Sequence, residues 1–240
     1  AFIPRNEDYK LLAADYSQIE LRIIAALSEE STMIESFQRG EDIHASTAAR
    51  VFKVPLEEVT RDQRSNAKTV NFGIIYGVSA FGLSNQTSLS RTEAKQLIDT
   101  YYETYPKLRN YISDQIDFAR EHGYVQTVLG RRRYLKDING SNAVVRGAAE
   151  RNAINAPIQG TAADIMKIAM LQVPGALKAA ELSARMLLQV HDELVLECPV
   201  MELTPTANLV RKIMEEAYKL KIPLSTDARS GPNWNEMSPI

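Results

Sequence analysis

The sequence predicts an α+β protein, in which an antiparallel sheet with its own helices carries a large, mostly helical insertion. Short apolar runs with strand character lie towards both ends of the chain. The middle, from about residue 35 to residue 148, instead has helical periodicity almost throughout. With 240 residues, of which 45% are hydrophobic, the chain is long enough to bury a sizeable core.

The first two elements are a strand and a helix. Residues 10–16 (KLLAADY) form a short apolar run with Asp15 near its end, which suits a buried strand. Residues 17–20 (SQIE) have the S-x-x-E pattern of a capping box, and apolar residues follow at helical spacing. The chain therefore passes from strand to helix at Asp15, and the helix is expected to end near Ser28.

Helix start signals recur in the middle segment. Residues 60–63 (TRDQ) and 90–93 (SRTE) repeat the capping pattern, and a long segment with helical periodicity follows each of them. Pro106 and Gly123 divide the second segment. In residues 124–135 (YVQTVLGRRRYL), β-branched and aromatic residues flank a glycine, which predicts a small hairpin or an extended loop.

The last third of the chain mixes helices and strands. Pro157 and Gly160 predict an interruption between two helical segments, because both residues disfavour a helix interior. Two strands then follow so closely that only a tight turn fits between them. The predicted elements are helices at 142–156 and 161–172, strands at 184–190 and 193–198, a helix at 207–219 and a strand at 223–228.

Composition and charge narrow the class of protein. No apolar run approaches the roughly 18 residues of a membrane span, and the N-terminal residues lack the order of a signal peptide, so we expect a cytoplasmic protein. The single cysteine, Cys198, excludes an internal disulfide and is more typical of packing than of a nucleophile. The net charge of −2 argues by itself against a nucleic-acid partner, but basic residues cluster locally. The clusters are Arg61, Arg64 and Lys68; Arg131 to Arg133; and Arg146 and Arg151.

Two aspartates lie at the ends of predicted strands. Asp192 lies in the turn of LLQVHDELVLE (187–197), and Asp15 ends another apolar strand, so one antiparallel sheet could place them side by side. Adjacent carboxylates repel each other unless protons or cations compensate, and such oxygen ligands suit Mg²⁺. His191 and Glu193 complete an H-D-E triplet that is unusual for a simple turn. Ordinary solvation of either aspartate is the alternative.

Four residues in the segment 64–77 (RSNAKTVNFGIIYG) recur every four positions. Arg64, Lys68 and Phe72 share one helix face, and Tyr76 lies at its edge. Two cations one turn apart near a helix N-terminus form an anion-binding strip suited to a triphosphate. The alternative is an amphipathic helix with solvated cations and buried aromatics. Two glycines in the same pattern cost about 1 kcal/mol each, which indicates a close approach or a bend.

Three segments together resemble motifs A, B and C of family A DNA polymerases, the bacterial DNA polymerase I type. They are DYSQIELR (15–22), RSNAKTVNFGIIYG (64–77) and VHDE (190–193). Further segments similar to that family are DIHASTA (42–48), GYVQTVLGRRRY (123–134) and NAINAPIQGTAADIMK (152–167). The resemblance covers nearly the whole chain and weakens only around residues 174–183 and after Cys198.

The resemblance implies a palm formed by residues 1–34 and 149–240 and fingers formed by residues 35–148, without thumb and exonuclease domains. The implied activity is template-directed DNA synthesis, in which deoxynucleotides from dNTPs are added to a primer 3′-hydroxyl by two-metal-ion nucleotidyl transfer and pyrophosphate is released. The implied cofactors are two Mg²⁺ ions, and the partners are primer-template DNA and dNTPs.

The implied setting is DNA replication or repair by a monomer in the cytoplasm, associated with the nucleoid, with an organellar or viral source left open. A thumb normally holds the duplex, so we expect weak and poorly processive synthesis from these residues. The sequence leaves open whether the chain is an excised piece or a natural minimal form, and whether its parent proofreads.

The resemblance also implies roles for individual residues. Asp15 and Asp192 are catalytic and hold the metal ions with the carbonyl of Tyr16 and with Glu193, and Lys68 is a candidate proton donor to pyrophosphate. The implied nucleotide-binding residues are Arg64, Lys68, Phe72, His44, Glu20, Gln18 and Tyr76. The implied DNA-binding residues are Gln159, Arg151, Asn155, His191 and Tyr76.

The implied contacts explain selectivity for deoxynucleotides. Glu20, held by Tyr76, closes against the sugar and blocks a 2′-hydroxyl. Phe72 stacks near the same sugar, where the absence of a tyrosine hydroxyl predicts weak acceptance of 2′,3′-dideoxynucleotides. Tyr76 occupies the place of the template base until the fingers close. The duplex contacts fall on minor-groove acceptors that every Watson–Crick pair shares.

Simpler interpretations remain for several of these residues. On the residues alone, His44 is plain helix surface, and Gln159 and Asn155 satisfy loop backbone. For the whole chain, the alternatives are a non-catalytic nucleic-acid-binding remnant of a polymerase and a metal-dependent nuclease. The presence of Asp15 and Asp192 together with the two cations, Arg64 and Lys68, argues against a non-catalytic remnant. A nucleotide-binding helix has no purpose in a nuclease, which argues against that alternative.

Overall fold

The computed structural model describes residues 2–240. These residues form two compact units, one made of residues 2–19 and Ala162–Ile240 and the other of Glu20–Thr161. The helices are α1 (Ile19–Ser28), α2 (Ser31–Gln38), α3 (Ile43–Phe52), α4 (Arg61–Ile75), α5 (Ala80–Ser84), α6 (Arg91–Thr104), α7 (Pro106–His122), α8 (Ala143–Ala179) and α9 (Leu203–Glu216), and the strands are β1 (Tyr9–Tyr16), β2 (Tyr124–Gln126), β3 (Arg132–Tyr134), β4 (Arg185–Val190), β5 (Glu193–Pro199), β6 (Thr226–Gly231) and β7 (Ser238–Pro239). The division into palm (1–34 and 149–240) and fingers (35–148) stays a prediction.

The first unit is built on an antiparallel sheet. Within residues 2–240, five strands form it in the order β4-β5-β1-β6-β7. β1 lies in the middle, and its residues Leu11, Leu12 and Ala14 are at most 1% exposed, because strands flank it on both edges and α9 packs against it. The predicted α+β class with an antiparallel sheet is confirmed, as are the strand at residues 10–16 and the closely spaced strand pair.

The second unit is mostly helical, as the periodicity of the middle segment predicts. Both capping boxes form, since Thr60 and Gln63 exchange hydrogen bonds at the start of α4, and Ser90 and Glu93 do so at the start of α6. Gly123 ends α7 in the left-handed conformation with φ of +77°. The hairpin β2–β3 follows and contributes to a small buried cluster. Members of that cluster are Ala119, Val125, Leu135, Ile138, Ala149 and Ala153.

The predicted interruption at Pro157 and Gly160 is wrong, because α8 runs through both residues for 37 residues in all. A stripe of buried apolar side chains continues past them, including Ile158 and Ile165, each 0% exposed. Burial of one such side chain contributes about 1.5–3 kcal/mol, which offsets the poor local propensity. A side chain at Gly160 would lie 2.5 Å from Cγ2 of Thr127, so this glycine permits a close approach.

Other boundaries differ from the sequence predictions by a few residues. α1 begins at Ile19, one residue later than the capping pattern predicts. α9 begins at Leu203 and ends at Glu216, earlier than predicted at both ends, whereas β6 lies about three residues later than predicted. The sequence does not predict the strand β7, because a strand of two residues is too short to show an alternating pattern.

Candidate functional site

In the first unit, the sheet brings two aspartates to one edge. Asp15, near the end of β1, lies opposite Glu193, the first residue of β5. The backbone N–H of Tyr16 donates to the carbonyl oxygen of Asp192 at 3.0 Å. His191, at the tip of the same turn, adopts the left-handed conformation with φ of +54°, which a non-glycine residue adopts at some cost. Antiparallel pairing thus places Asp15 and Asp192, 177 positions apart in the chain, beside each other.

The clustered carboxylates of Asp15, Asp192 and Glu193 would be stabilised by a nearby positive charge. Burial and the negative charges of Asp192 and Glu193 together raise the pKa of Asp15 to about 7, while Arg229 opposes them. Oδ1 of Asp15 is buried and has no hydrogen-bond partner among residues 2–240. An unpaired buried carboxylate oxygen is costly, so a proton or a cation is needed there.

These side chains line a polar cavity of about 330 Å³ in the first unit. Its walls include Asp15, Asp192, Glu193, Arg229 and Trp234. Nε1 of Trp234 donates to Oε2 of Glu193 at 3.3 Å, which fixes that carboxylate at the wall. The cavity therefore offers hard oxygen donors, the type that Mg²⁺ prefers. Among residues 2–240, no three His, Cys, Asp or Glu side chains converge into a metal-ligating group.

The second unit contains the cationic helix face on α4. Lys68 is exposed and lines a groove of about 630 Å³ together with Phe72, Tyr76 and Arg151. Arg64, one turn before Lys68, is instead paired with Asp42, with Nη2 and Oδ2 2.7 Å apart. Although burial works against it, the hydrogen bond from Arg64 lowers the pKa of Asp42.

His44 is placed at the start of α3 beside this face. It is only 3% exposed, so the interpretation of His44 as plain surface is wrong. Its ring packs against Phe72 at a centroid distance of 5.6 Å. Burial lowers the pKa of His44 to about 4, with Asp42 opposing this effect and Arg64 and Lys68 reinforcing it. The ring is therefore neutral at pH 7.

At the end of α4, two predicted site residues meet. The hydroxyl of Tyr76 donates to Oε2 of Glu20 at 2.8 Å. Gly77 has φ of +64°, and a side chain there would lie 2.8 Å from Cγ of Arg151. A side chain at Gly73 would lie 2.6 Å from Cγ1 of Val78. Both glycines thus permit close approaches, as their position in a helical pattern predicts. Gln18, before α1, also adopts a left-handed conformation with φ of +57°.

Three predicted DNA-binding residues are spaced four apart on α8. Arg151 and Gln159 are exposed. Asn155 donates through Nδ2 to the carbonyl of Arg151 at 3.1 Å and to the carbonyl of Ile75 at the end of α4. The interpretation of Asn155 as a residue that satisfies backbone groups therefore holds in part, although the carbonyls belong to helices and not to a loop.

The sequence analysis did not identify several residues that contact the predicted site residues, either near α4 or in the cavity around Asp15. Asp42 carries a readable signal, because an aspartate before a helical segment is a typical N-cap, and its Oδ1 accepts from His44 N at 2.9 Å. Asn71 is a polar residue between the buried residues Val70 and Ile74, which indicates a specific hydrogen bond. Trp234 and Arg229 carry no comparable signal.

The sequence model of DNA polymerase family A matches residues 1–236, and the chain belongs to this family. It is 53% identical to DNA polymerase I of Streptococcus pneumoniae serotype 4 over 98% of this chain and 27% of that protein. It is 52% identical to DNA polymerase I of Chloroflexus aurantiacus over 97% of this chain and 25% of that protein. The chain thus spans about a quarter of the length of these relatives.

Among solved structures, the fold is similar to the POL domain of Pol1 from M. smegmatis in complex with DNA primer-template and dNTP, with a TM-score of 0.92 and 48% identity. The match covers 98% of this chain and 41% of that one. None of the helices formed by residues 2–240 combines the length and apolar character needed to cross a membrane.

Proposed function

We propose that this chain is the nucleotide-adding part of a DNA-directed DNA polymerase. It adds deoxynucleotides from dNTPs to a primer 3′-hydroxyl on a template and releases pyrophosphate. The observation that carries the proposal is that Asp15 and Asp192 lie beside each other at one end of β1, with a buried Asp15 oxygen that has no partner among residues 2–240. Membership of DNA polymerase family A supports it.

The paired carboxylates hold two Mg²⁺ ions, with the carbonyl of Tyr16 and with Glu193 as further ligands. The oxygen donors and the raised pKa of Asp15 fit this group, because a divalent cation relieves the repulsion that the fold imposes. When bound, Mg²⁺ supplies charge that activates the primer hydroxyl and neutralises the triphosphate.

The α4 face binds the triphosphate of the incoming nucleotide. Lys68 contacts the phosphates and gives a proton to the departing pyrophosphate, and Arg64 adds a planar set of donors. His44 adds a neutral donor. The exposed position of Lys68 beside the groove, one turn from Arg64, supports this assignment.

The Glu20–Tyr76 pair and Phe72 select the sugar. The hydrogen bond of 2.8 Å holds the Glu20 carboxylate at one position, where it excludes a 2′-hydroxyl. Phe72 stacks near the sugar, and Gln18 contacts the nucleotide from the turn before α1. Tyr76 also occupies the position of the template base until the fingers close. Exposed Tyr76 and its place in the groove support this part of the proposal.

The primer-template duplex is held by Arg151, Asn155, Gln159 and His191. These side chains contact minor-groove acceptors that all base pairs share, so they check shape without reading sequence. We expect synthesis by this chain to be weak, sensitive to salt and poorly processive. The similar M. smegmatis structure is a complex with DNA primer-template and dNTP, which supports both partners.

A primer-extension assay with Mg²⁺ and all four dNTPs tests the proposal. The unmodified chain extends the primer, Asp192→Asn abolishes extension while duplex binding persists, and the matched variant Asp8→Asn, at an exposed position, extends normally. Lack of extension by the unmodified chain, with binding retained, would indicate a non-catalytic remnant. Cleavage of labelled DNA with Mg²⁺ in the absence of nucleotides would indicate a nuclease.

A further inference from the structure

A buried polar network joins α3, α4 and the α6–α7 junction in the second unit. Nδ2 of Asn71 lies 3.1 Å from Nδ1 of His44 and 3.2 Å from Oγ1 of Thr47, and that hydroxyl lies 3.0 Å from the hydroxyl of Tyr105. Asn71 and Thr47 are fully buried, and Tyr105 is 1% exposed. Network geometry of this kind fixes the side chains in one arrangement.

Asn71 occupies a position where the helix pattern favours an apolar residue. Its neighbours on the buried side of α4 are Ala67, Val70 and Ile74. A buried amide without hydrogen bonds is costly, and even with them its net contribution to folding is small. Stability alone is therefore a poor reason for an asparagine here, and its contact with His44 is the distinctive feature.

The contact determines which nitrogen of His44 carries the proton. The charged groups that act on the ring are Asp42 at the start of α3 and Arg64 and Lys68 on α4, and Asn71 contacts the ring directly. Burial and the two cations keep the ring neutral, so it has one N–H and one lone pair. An amide NH₂ group only donates, so its contact with Nδ1 requires the lone pair on Nδ1 and the proton on Nε2.

We propose that Asn71 is a positioning residue that holds His44 as the Nε2–H tautomer, so that the ring presents a neutral donor to a phosphate oxygen of the incoming nucleotide. The donor role rests on the proposed function, whereas the tautomer does not. With the opposite tautomer, Nε2 would present a lone pair to an anion and repel it. Phe72 packs against the ring at a centroid distance of 5.6 Å and restricts its movement.

The first test is the tautomer of His44 in the intact, ¹⁵N-labelled chain. Long-range ¹H–¹⁵N correlation spectra distinguish protonated from unprotonated ring nitrogens, and His44→Gln assigns the signals among the three histidines. We expect an unprotonated Nδ1 in the unmodified chain, a protonated Nδ1 in Asn71→Asp, and a mixture in Asn71→Leu. Asn66→Asp, the same change on the same helix, leaves the tautomer unchanged. A protonated Nδ1 in the unmodified chain overturns the proposal.

The second test is the Kd of a dNTP with Mg²⁺ and primer-template DNA. Asn71→Asp should weaken binding about tenfold, the loss expected for one hydrogen bond to a charged group. In the His44→Gln background, Asn71→Asp should have no further effect, because Asn71 acts through His44. An equal loss in both backgrounds refutes the positioning role. If Asn71→Asp does not fold, the Kd of the dNTP is measured for Asn71→Leu instead.

The two tests separate the inference from the proposed function. A chain with the expected tautomer that binds no dNTP contradicts the proposed function and the donor role, while the control of the tautomer by Asn71 stands. A chain that binds dNTP and extends primers but carries the proton on Nδ1 keeps the proposed function and overturns the inference.

Discussion

Replacement of Asp15 by asparagine should stabilise the metal-free protein above neutral pH. The raised pKa of Asp15 means that the folded chain holds a proton that the unfolded chain has already lost. Stability therefore falls as the pH rises from about 4 to about 7, and the penalty then stays constant. A rise of the pKa from 3.8 to about 7 corresponds to at most about 4 kcal/mol.

The expected gain is smaller than this maximum. Asp15 is only half-buried, so solvent screens its charge, and we expect Asp15→Asn to raise the free energy of unfolding by about 1–2 kcal/mol at pH 8. At pH 3 the two proteins should be equally stable, because Asp15 is protonated in both states. Asparagine is neutral and nearly the same size, so the change isolates the charge.

Urea titration in EDTA at pH 3, 5 and 8 measures the effect. The only tryptophan, Trp234, lines the same cavity as Asp15 and reports unfolding of this unit by fluorescence. Asp8→Asn provides the control. Mg²⁺ at ten times its Kd should then stabilise the unmodified chain by about 1.4 kcal/mol and Asp15→Asn much less. An identical pH dependence in Asp15→Asn and in the unmodified chain would refute the reasoning.

Three further predictions concern packing, nucleotide choice and duplex binding. Gly160→Ala should lower the free energy of unfolding, measured by thermal denaturation, by about 1–3 kcal/mol, because the new methyl group would lie 2.5 Å from Cγ2 of Thr127. Thr127→Ser removes that methyl group and should recover part of the loss. Equal stability of Gly160→Ala and the unmodified chain would contradict the close approach. Phe72→Tyr should increase incorporation of dideoxynucleotides relative to deoxynucleotides at least tenfold in single-turnover assays, and an unchanged ratio would remove Phe72 from the sugar site. Duplex binding measured by fluorescence anisotropy should weaken at least tenfold between about 50 and 200 mM salt, and a flat dependence would exclude phosphate contacts as the main source of affinity.

Local signals in the sequence predict much of this fold. The two capping boxes, the proline and glycine that bound α7, and the tight turn between β4 and β5 depend on residues close together in the chain. Asp15 and Asp192 are predictable as neighbours because Asp15 lies near the end of one apolar strand and Asp192 lies in the tight turn after another. Continuity of α8 through Pro157 is not predictable from propensity, since the buried stripe that sustains it depends on packing against other parts of the fold.

The hydrogen-bond partners within the site are also hidden from the sequence. Arg64 pairs with a residue 22 positions away, and Asn71 with one 27 positions away. Such pairs depend on how α3 packs on α4, which no periodicity specifies. The sequence identifies Arg64 and His44 as candidates, yet the structure alone reveals that one is already paired and that the other is buried and neutral.

The two oxygens of Asp42 have separable tasks. Oδ1 accepts from the backbone at the start of α3, whereas Oδ2 accepts from Arg64. The ion pair is about half-exposed on both sides and contributes only about 0–1 kcal/mol, so a multiply charged anion can take the guanidinium away. When Arg64 leaves, Oδ1 still caps α3, and the helix that carries His44 does not fray. Asp42 thus stabilises the start of α3 at all times and holds Arg64 only until an anion binds it. Binding of Arg64 to the anion therefore leaves the first turn of α3 intact.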